Sequence, residues 1–410
     1  MSITARAESQ VSLSFGCAER SNSRAFMFLF LGALTAFGPF VTDMYLPALP
    51  AMTGYFNTTV SMVQLGLTFS MLGLALGQLG FGPFSDRLGR RVPLLASMLI
   101  YIFSTVLCIF APSIEWFLFW RFWQGIAGAG GIVIARSIAV DTFVGQTLAQ
   151  ALAVIGAIMG VAPVLAPVIG GACADKIGWK GIFCILLALG FILLLLCLLF
   201  KESLPPERRS TQRWFAVFSM YKQVLQRKRF VFYVLQYAAA NGILFGNVAS
   251  SPFMVQEHYG CSALVFSVCF ALNSLAIGVG AAMSMRFQRS QDCVKYSCAG
   301  MIVSSLAVAL GMYWGCSLWL YETLITLACF TMGMTFTAST ALALECVRDL
   351  AGTGAAVQGS SGYILGGLVA PLIGLGNIML STAAVFAGAA LLSSIFAYCA
   401  HRSPACLTDA

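Results

Sequence analysis

Charge is what this 410-residue chain has least of: 9% of its residues are Asp, Glu, Lys or Arg, against about 25% in soluble domains. With 59% hydrophobic residues it cannot clothe a globular surface in polar groups, which excludes an ordinary water-soluble fold. Histidine is nearly absent too. Only His258 and His401 occur, both outside the apolar runs, so no enzymatic chemistry based on histidine and no metal site is expected. No G-x-x-x-x-G-K-[ST] stretch is present, which excludes ATP-driven work through a P-loop of this chain. Residues 1–23 are polar, carry Glu8 and Glu19, and lack the apolar core of roughly 7–15 residues that a cleaved signal peptide needs. The 14 cysteines form no C-x-x-C pair and read as small hydrophobes rather than disulfides or metal ligands.

What the chain has instead is long apolar runs. About 20 residues at a rise of ~1.5 Å cross a ~30 Å hydrocarbon core, and twelve runs of that kind can be counted. They lie at about 24–47, 61–82, 92–111, 115–138, 147–172, 180–200, 228–252, 261–284, 294–314, 318–341, 353–376 and 377–399. Uninterrupted runs satisfy their backbone within each segment, so helices and not a barrel are predicted. The expected fold is an all-α membrane protein of twelve transmembrane helices.

Lys and Arg orient it. The two ends and the even-numbered gaps, with Arg136 counted among them, hold 20 of the 23 basic residues. The opposite side holds Lys176 and Lys180, and Arg121 lies inside the fourth run. Both termini are therefore expected in the cytoplasm. The net charge of +8 is a topology signal of this kind, and no nucleic-acid partner is expected.

One composition break divides the chain. Pro205-Pro206-Glu207-Arg208-Arg209 opens a basic stretch before the seventh run. The expected organisation is an N-terminal tail (1–23), a six-helix half (24–200), a cytoplasmic linker (201–227), a second six-helix half (228–399) and a tail (400–410). Asp86 follows Arg24 by 62 positions, and Arg289 follows Lys228 by 61. Equal offsets suggest a parallel repeat with a central site between the halves.

The turn between the second and third runs reads Gly82-Pro83-Phe84-Ser85-Asp86-Arg87-Leu88-Gly89-Arg90-Arg91. Its spacing, G-x-x-x-D-R-x-G-R-R, resembles the loop that signs the major facilitator superfamily. Arg121-Phe122-Trp123-Gln124-Gly125 resembles the fourth-helix motif of drug-exporting facilitators. Ala162-Pro163, Ala166-Pro167 and Gly170-Gly171 resemble the fifth-helix antiporter motif, with Ala162 and Ala166 where glycines are usual. Three further stretches look like the Bcr/CflA family of bicyclomycin and chloramphenicol exporters: Asp43-Met44-Tyr45-Leu46-Pro47-Ala48-Leu49-Pro50, Lys201-Glu202-Ser203-Leu204-Pro205-Pro206-Glu207-Arg208-Arg209, and Ala351-Gly352-Thr353-Gly354. The resemblance runs from about residue 30 to 375. It implies the major facilitator fold, two halves related by a pseudo-two-fold axis, and a monomer in a bacterial inner membrane. Export would draw on the proton gradient, with protons, a small hydrophobic substrate and the lipid bilayer as partners and no cofactor.

A charge inside a membrane helix costs about 2.5–3.5 kcal/mol on insertion scales and persists when paired or functional. Asp43 and Arg121 lie at similar depth near the outer ends of the first and fourth helices. Facing one cavity, each would lower the cost of the other, and Asp43 would become a carboxylate whose protonation follows its surroundings, as proton coupling requires. The alternative is a structural ion pair. Resembling exporters often hold a second acid where this chain has Thr35, which favours neutral or zwitterionic substrates over cationic ones. Glu115, Glu257 and Glu322 lie near the outer boundary and read as solvated rim charges.

Gly82, Asp86, Arg87, Gly89, Arg90 and Arg91 read as a conformational latch or as plain topology charges. In resembling transporters Asp86 would sit at the positive end of the eleventh helix, which opens near Gly352, and Arg90 would pair with Asp141. Such contacts would hold in the outward-facing state and break in the inward-facing one. Pro163, Pro167, Gly170 and Gly171 put kinks and small residues along the fifth helix; the resemblance makes this a seam against ion leak, and packing alone explains the glycines. Gln64, Gln124, Gln236, Tyr237, Asn241, Asn273 and Gln358 are candidates for a cavity lining or for helix–helix hydrogen bonds. With Phe and Met at 32 and 17, they fit a large, greasy pocket. The leading expectation is proton-coupled efflux of hydrophobic antibiotics, with a metabolite facilitator and a membrane scaffold or sensor as alternatives.

Overall fold

A computed structural model describes residues 22–210 and 214–403; most of the two tails, with Arg6 and Arg20, lies outside them. The apolar runs form helices, which we number as spans. They are α1 (Arg24–Asp43), α2 (Val60–Leu88), α3 (Arg91–Ile109), α4 (Ile114–Thr142), α7 (Lys228–Phe253), α8 (Ala263–Ser284), α9 (Ser290–Tyr313), α10 (Leu318–Glu345), α11 (Ala351–Ile373) and α12 (Ile378–Arg402). The remaining run, Gly145–Leu199, is far too long for one span and breaks at Gly178, whose φ of 63° and ψ of −177° reverse the chain. Its arms, 145–177 and 179–199, are α5 and α6. Twelve spans result. Side-chain oxygens close several helix starts: Ser23, Thr59, Ser113, Ser262 and Asn377 each accept a first-turn N–H.

Each half has its own apolar core, around Phe30, Met98 and Ile134 in the first and Phe230, Met301 and Ile325 in the second. The repeat, faint in letters, is plain in packing. α2 lies on α4 through glycines: a Cβ at Gly73 would stand 2.2 Å from Phe122 O, and one at Gly125 2.1 Å from Ser70 O. The corresponding pair, α8 on α10, repeats the device, with Gly280 2.1 Å from Phe330 O and Gly333 2.2 Å from Ile277 O. Exposed Leu, Val and Phe side chains ring the bundle, as a lipid-facing belt requires.

The halves meet along two helix pairs that the repeat also relates, α2 with α11 and α5 with α8. Proline makes some of the contact points. A proline at position i removes the N–H that would bond the carbonyl at i−4. Pro371 thus frees Gly367 O, which accepts Thr68 Oγ1 at 2.6 Å, and Pro83 frees Leu79 O, which accepts the Tyr221 hydroxyl at 3.1 Å. Tyr221 belongs to a linker helix, Trp214–Leu225, that packs against α11 and α7.

The bundle is closed at one end. There Ser61 Oγ meets Pro371 O (3.1 Å), Gln64 Nε2 meets Ala249 O (3.0 Å), and Gln256 Nε2 meets Pro47 O (3.0 Å). One apolar cluster, from Met44 and Leu67 to Phe253, Phe266 and Ile373, runs through both halves. Toward the other end, which holds the basic hairpin, the helices part. A Cβ at Gly156, Gly160 or Gly352 would meet nothing within 4 Å.

Candidate proton and substrate site

Regular helix in α1 stops at Asp43, after which the chain turns through Leu46–Ala48. The last carbonyls of a helix lack intrahelical partners and carry partial negative charge. Arg121 of α4, fully buried, answers that charge: its Nη1 donates to Val41 O at 3.3 Å and also to Gln124 Oε1. The guanidinium lies 4.4 Å over the Tyr45 ring and 5.8 Å from that of Phe183. Gln124 in turn donates to Thr105 Oγ1 at 2.7 Å. Arg121 Nε and Nη2 are left without a partner. Asp43 is half-buried and close enough to feel the charge of Arg121, yet the two form no ion pair. The arginine is spent on the helix end, and the carboxylate lies within electrostatic reach of Tyr363 in the other half.

Three groups are linked to the carboxylate electrostatically. Tyr363 of α11 lies within electrostatic reach of both Asp43 and Arg136, and Tyr237 of α7 within reach of Arg136. Arg136 is not a loop charge, as the sequence count had it. It belongs to α4, is exposed, and reaches Met159 Sδ of α5 at 3.0 Å.

The other polar candidates divide. Tyr237 is half-buried and packs on Phe336. Gln64 joins the halves at the closed end. Asn241 bonds back to Tyr237 O within α7, and Gln236 is buried against Cys298 Sγ. Gln358 bonds Thr340 Oγ1, and Asn273 is buried on Glu322. Gln124, Gln236 and Asn273 are buried, each bonded to a partner on a neighbouring helix of its own half. Glu115 and Glu257 are exposed as expected, but Glu322 is 4% exposed and no rim charge.

At the basic end the turn is shorter than its letters suggest. α2 runs helically through Gly82, Pro83 and Asp86 to Leu88, and only Gly89 breaks it, at φ 87°. A side chain there would be strained, and its Cβ would sit 2.5 Å from Glu202 Oε2. Arg90 is the hub, bonding Asp141 Oδ2 through Nε (2.7 Å), Ser85 Oγ (2.8 Å) and Asp86 Oδ1 (2.5 Å). Glu202 accepts the backbone N–H groups of Arg90 (2.8 Å) and Arg91 (3.1 Å), capping α3. Arg91 also donates to Leu198 O at 2.8 Å. Glu202 was missed by sequence reading, although it stands in the quoted Lys201–Arg209 stretch. Asp86 turns to Arg90, and a Cβ at Gly352, where α11 begins, would meet nothing within 4 Å. One expectation changes: the Arg90–Asp141 pair holds although the bundle is parted at this end, because both residues belong to one half.

The fifth-helix motif sits at the closed end. A Cβ at Gly170 would stand 1.9 Å from Met44 O, and one at Gly171 2.1 Å from Ser267 Oγ. Ser267 of α8 donates to Pro167 O at 2.6 Å. Gly170 and Gly171 thus let α5 approach α1 and the other half at once, and Pro163 lies half-buried one turn before Pro167. Among the described cysteines eleven are free thiols. No group of His, Cys, Asp and Glu suited to a metal occurs among the described residues.

The family model of the Major Facilitator Superfamily matches residues 28–371. An uncharacterized MFS-type transporter, YdgK of Bacillus subtilis, is 33% identical over 87% of this chain and 92% of its own length. The bicyclomycin resistance protein homolog of Haemophilus influenzae is 25% identical over 90% of this chain and 94% of its own. Among solved structures, a bacterial homolog of the human lysosomal transporter Spinster, in an inward-facing and occupied conformation, superposes with a TM-score of 0.77. It shares 18% identity, covering 94% of this chain and all of that one.

Proposed function

This chain belongs to the Major Facilitator Superfamily, as a membrane transporter and not an enzyme, and from that premise we propose that it exports small hydrophobic compounds in exchange for protons. The observation that carries the proposal is the half-buried Asp43, within electrostatic reach of Tyr363 in the other half and beside a buried Arg121 that does not neutralise it by contact. A carboxylate free of an ion pair can give up its proton to one side and take one from the other as access alternates. The fifth-helix seam and the likeness to a bicyclomycin resistance homolog support export, with bicyclomycin- or chloramphenicol-like compounds as the substrate class. On this reading the basic end is cytoplasmic, the membrane is a bacterial inner membrane, and the conformation described is inward-open. Tyr237, Tyr363 and Arg136 would meet the substrate, and the cage around Arg90 would hold the α2–α3 turn while Asp86 engages α11 in the outward-facing state.

Two measurements test it. An antibiotic panel on a pump-deficient bacterium expressing the chain should show protection against at least one hydrophobic compound; protection against none would favour a metabolite facilitator. With that compound, proton release in lightly buffered detergent should vanish in Asp43→Asn while the protein stays folded. Unchanged release would move the coupling site away from Asp43.

A further inference from the structure

The second half holds a carboxylate in surroundings unlike those of Asp43. Glu322 is the fifth residue of α10 and is 4% exposed. Its Oε1 accepts from Asn273 Nδ2 of α8 at 2.6 Å. Thr326, one turn along α10, donates Oγ1 to Asn273 Oδ1 at 2.8 Å, so the amide has its donor side turned to the glutamate. Glu322 Oε2 is buried and has no partner, and neither does the Tyr321 hydroxyl beside it in sequence.

The titratable groups within its electrostatic reach are Cys269 of α8, Tyr259 of the turn after α7, and Tyr321 and Cys329 of its own helix. All four are neutral at physiological pH, and no ion pair to Glu322 occurs among the described residues. An ionised carboxylate only accepts, over two oxygens. Here it would have one donor, no cation and an empty second oxygen in a buried site, which is among the costliest arrangements a carboxylate can take. A carboxylic acid suits the place: Oε1 keeps the amide hydrogen bond, and the proton sits on Oε2.

We propose that Glu322, with Asn273 and Thr326, is a second proton-binding site, in the C-terminal half and separate from Asp43, loaded when the bundle is closed at the end near it. Parting of the α5–α8 contact and of the shared apolar cluster would bring water to the outer ends of α8 and α10. The carboxyl O–H bond then breaks and its proton passes to that water, leaving the carboxylate hydrated. The direction of this traffic rests on the transporter reading; occupancy by a proton does not.

Infrared spectroscopy reads occupancy directly, through the carbonyl stretch of a protonated carboxyl group. In purified Asp43→Asn at neutral pH, one buried protonated carboxyl should remain, and it should disappear in Asp43→Asn/Glu322→Gln. Glu322→Gln, which mimics the neutral acid, should leave the melting temperature at neutral pH unchanged. Absence of the band in Asp43→Asn, its survival in the double variant, or a large loss of melting temperature in Glu322→Gln would each overturn the proposal. Because the band is measured without substrate, failure of proton-coupled export at Asp43 would leave this result standing, and the converse.

Discussion

Two arginines stand at the basic end of the bundle, Arg90 in the first half and Arg227 at the end of the linker, and they are held in contrasting ways. Arg90 is 6% exposed and ties Asp86, Ser85 and Asp141 together, with Glu202 capping the same turn. Arg227 grips Asp349 with two bonds of 2.7 and 2.5 Å and also reaches Cys346 O, but the Asp349 side chain is 58% exposed. The first is a cage that sets where α2 ends and α3 begins. The second is a surface clasp, whose attraction water largely screens. The same residue types thus build a structural core in the first half and little more than a fastening where the linker meets the second.

Removing the hub should expose the difference most. Arg90→Ala leaves Asp141 uncompensated in a site only 15% exposed, and a loss of about 3 kcal/mol is expected, read as a fall in melting temperature in detergent. Arg227→Ala should lower it by a small part of that; equal falls would erase the contrast.

The glycines of α5 sharpen the comparison along the other axis, closed end against open end. Gly170→Ala pushes a methyl into Met44 O and should destabilise by about 1–3 kcal/mol. Gly160→Ala meets nothing and should be neutral or up to about 1 kcal/mol stabilising through helix propensity. A Gly160→Ala variant as unstable as Gly170→Ala would mean that the bundle also closes tightly at the basic end.

Asp86 contributes at the rim of the cage, with its side chain 52% exposed. On the proposed export reading, in which Asp86 engages α11 in the outward-facing state, Asp86→Asn should leave melting temperature and substrate binding nearly unchanged while export slows. Severalfold weaker binding with normal cycling would contradict that role.

The smallest effect concerns the clasp and pH. The hydrogen bonds from Arg227 hold the Asp349 carboxyl below its ordinary 3.8. A depressed value means that the clasp's contribution is present above that pH and is lost as pH falls through the lowered value. The melting-temperature gap between wild type and Asp349→Asn should therefore be small near neutrality and close on acidification below 3.8. A gap that widens with acid would reverse the sign.

Much of the fold was legible because apolar length is a local property. Each span needs its own ~20 apolar residues, so ends such as Lys228 and Tyr313 fall close to the boundaries read from composition. Gly178 shows the limit: whether a glycine between two apolar runs starts a loop or merely folds one helix back depends on the backbone it adopts. Pro83 shows it too. Read as a turn residue, it sits inside α2, because the carbonyl it frees is taken up by Tyr221, 142 positions away.

The site divides along the same line. The sequence by itself determined the membrane class, the two-half layout and the outstanding charges Asp43 and Arg121, which follow from runs and spacings, while the family resemblance implied the pairing of Arg90 with Asp141. Only the tertiary structure decided that Arg121 answers the end of α1 and not Asp43, that Glu202 caps α3, and that Glu322 is buried with one oxygen unpaired. These depend on which helix faces bring donors within hydrogen-bond reach. Hydrogen bonds act over about 3 Å, whereas hydropathy is summed over a whole helix, so composition foretells where a helix lies and not what its side chains touch.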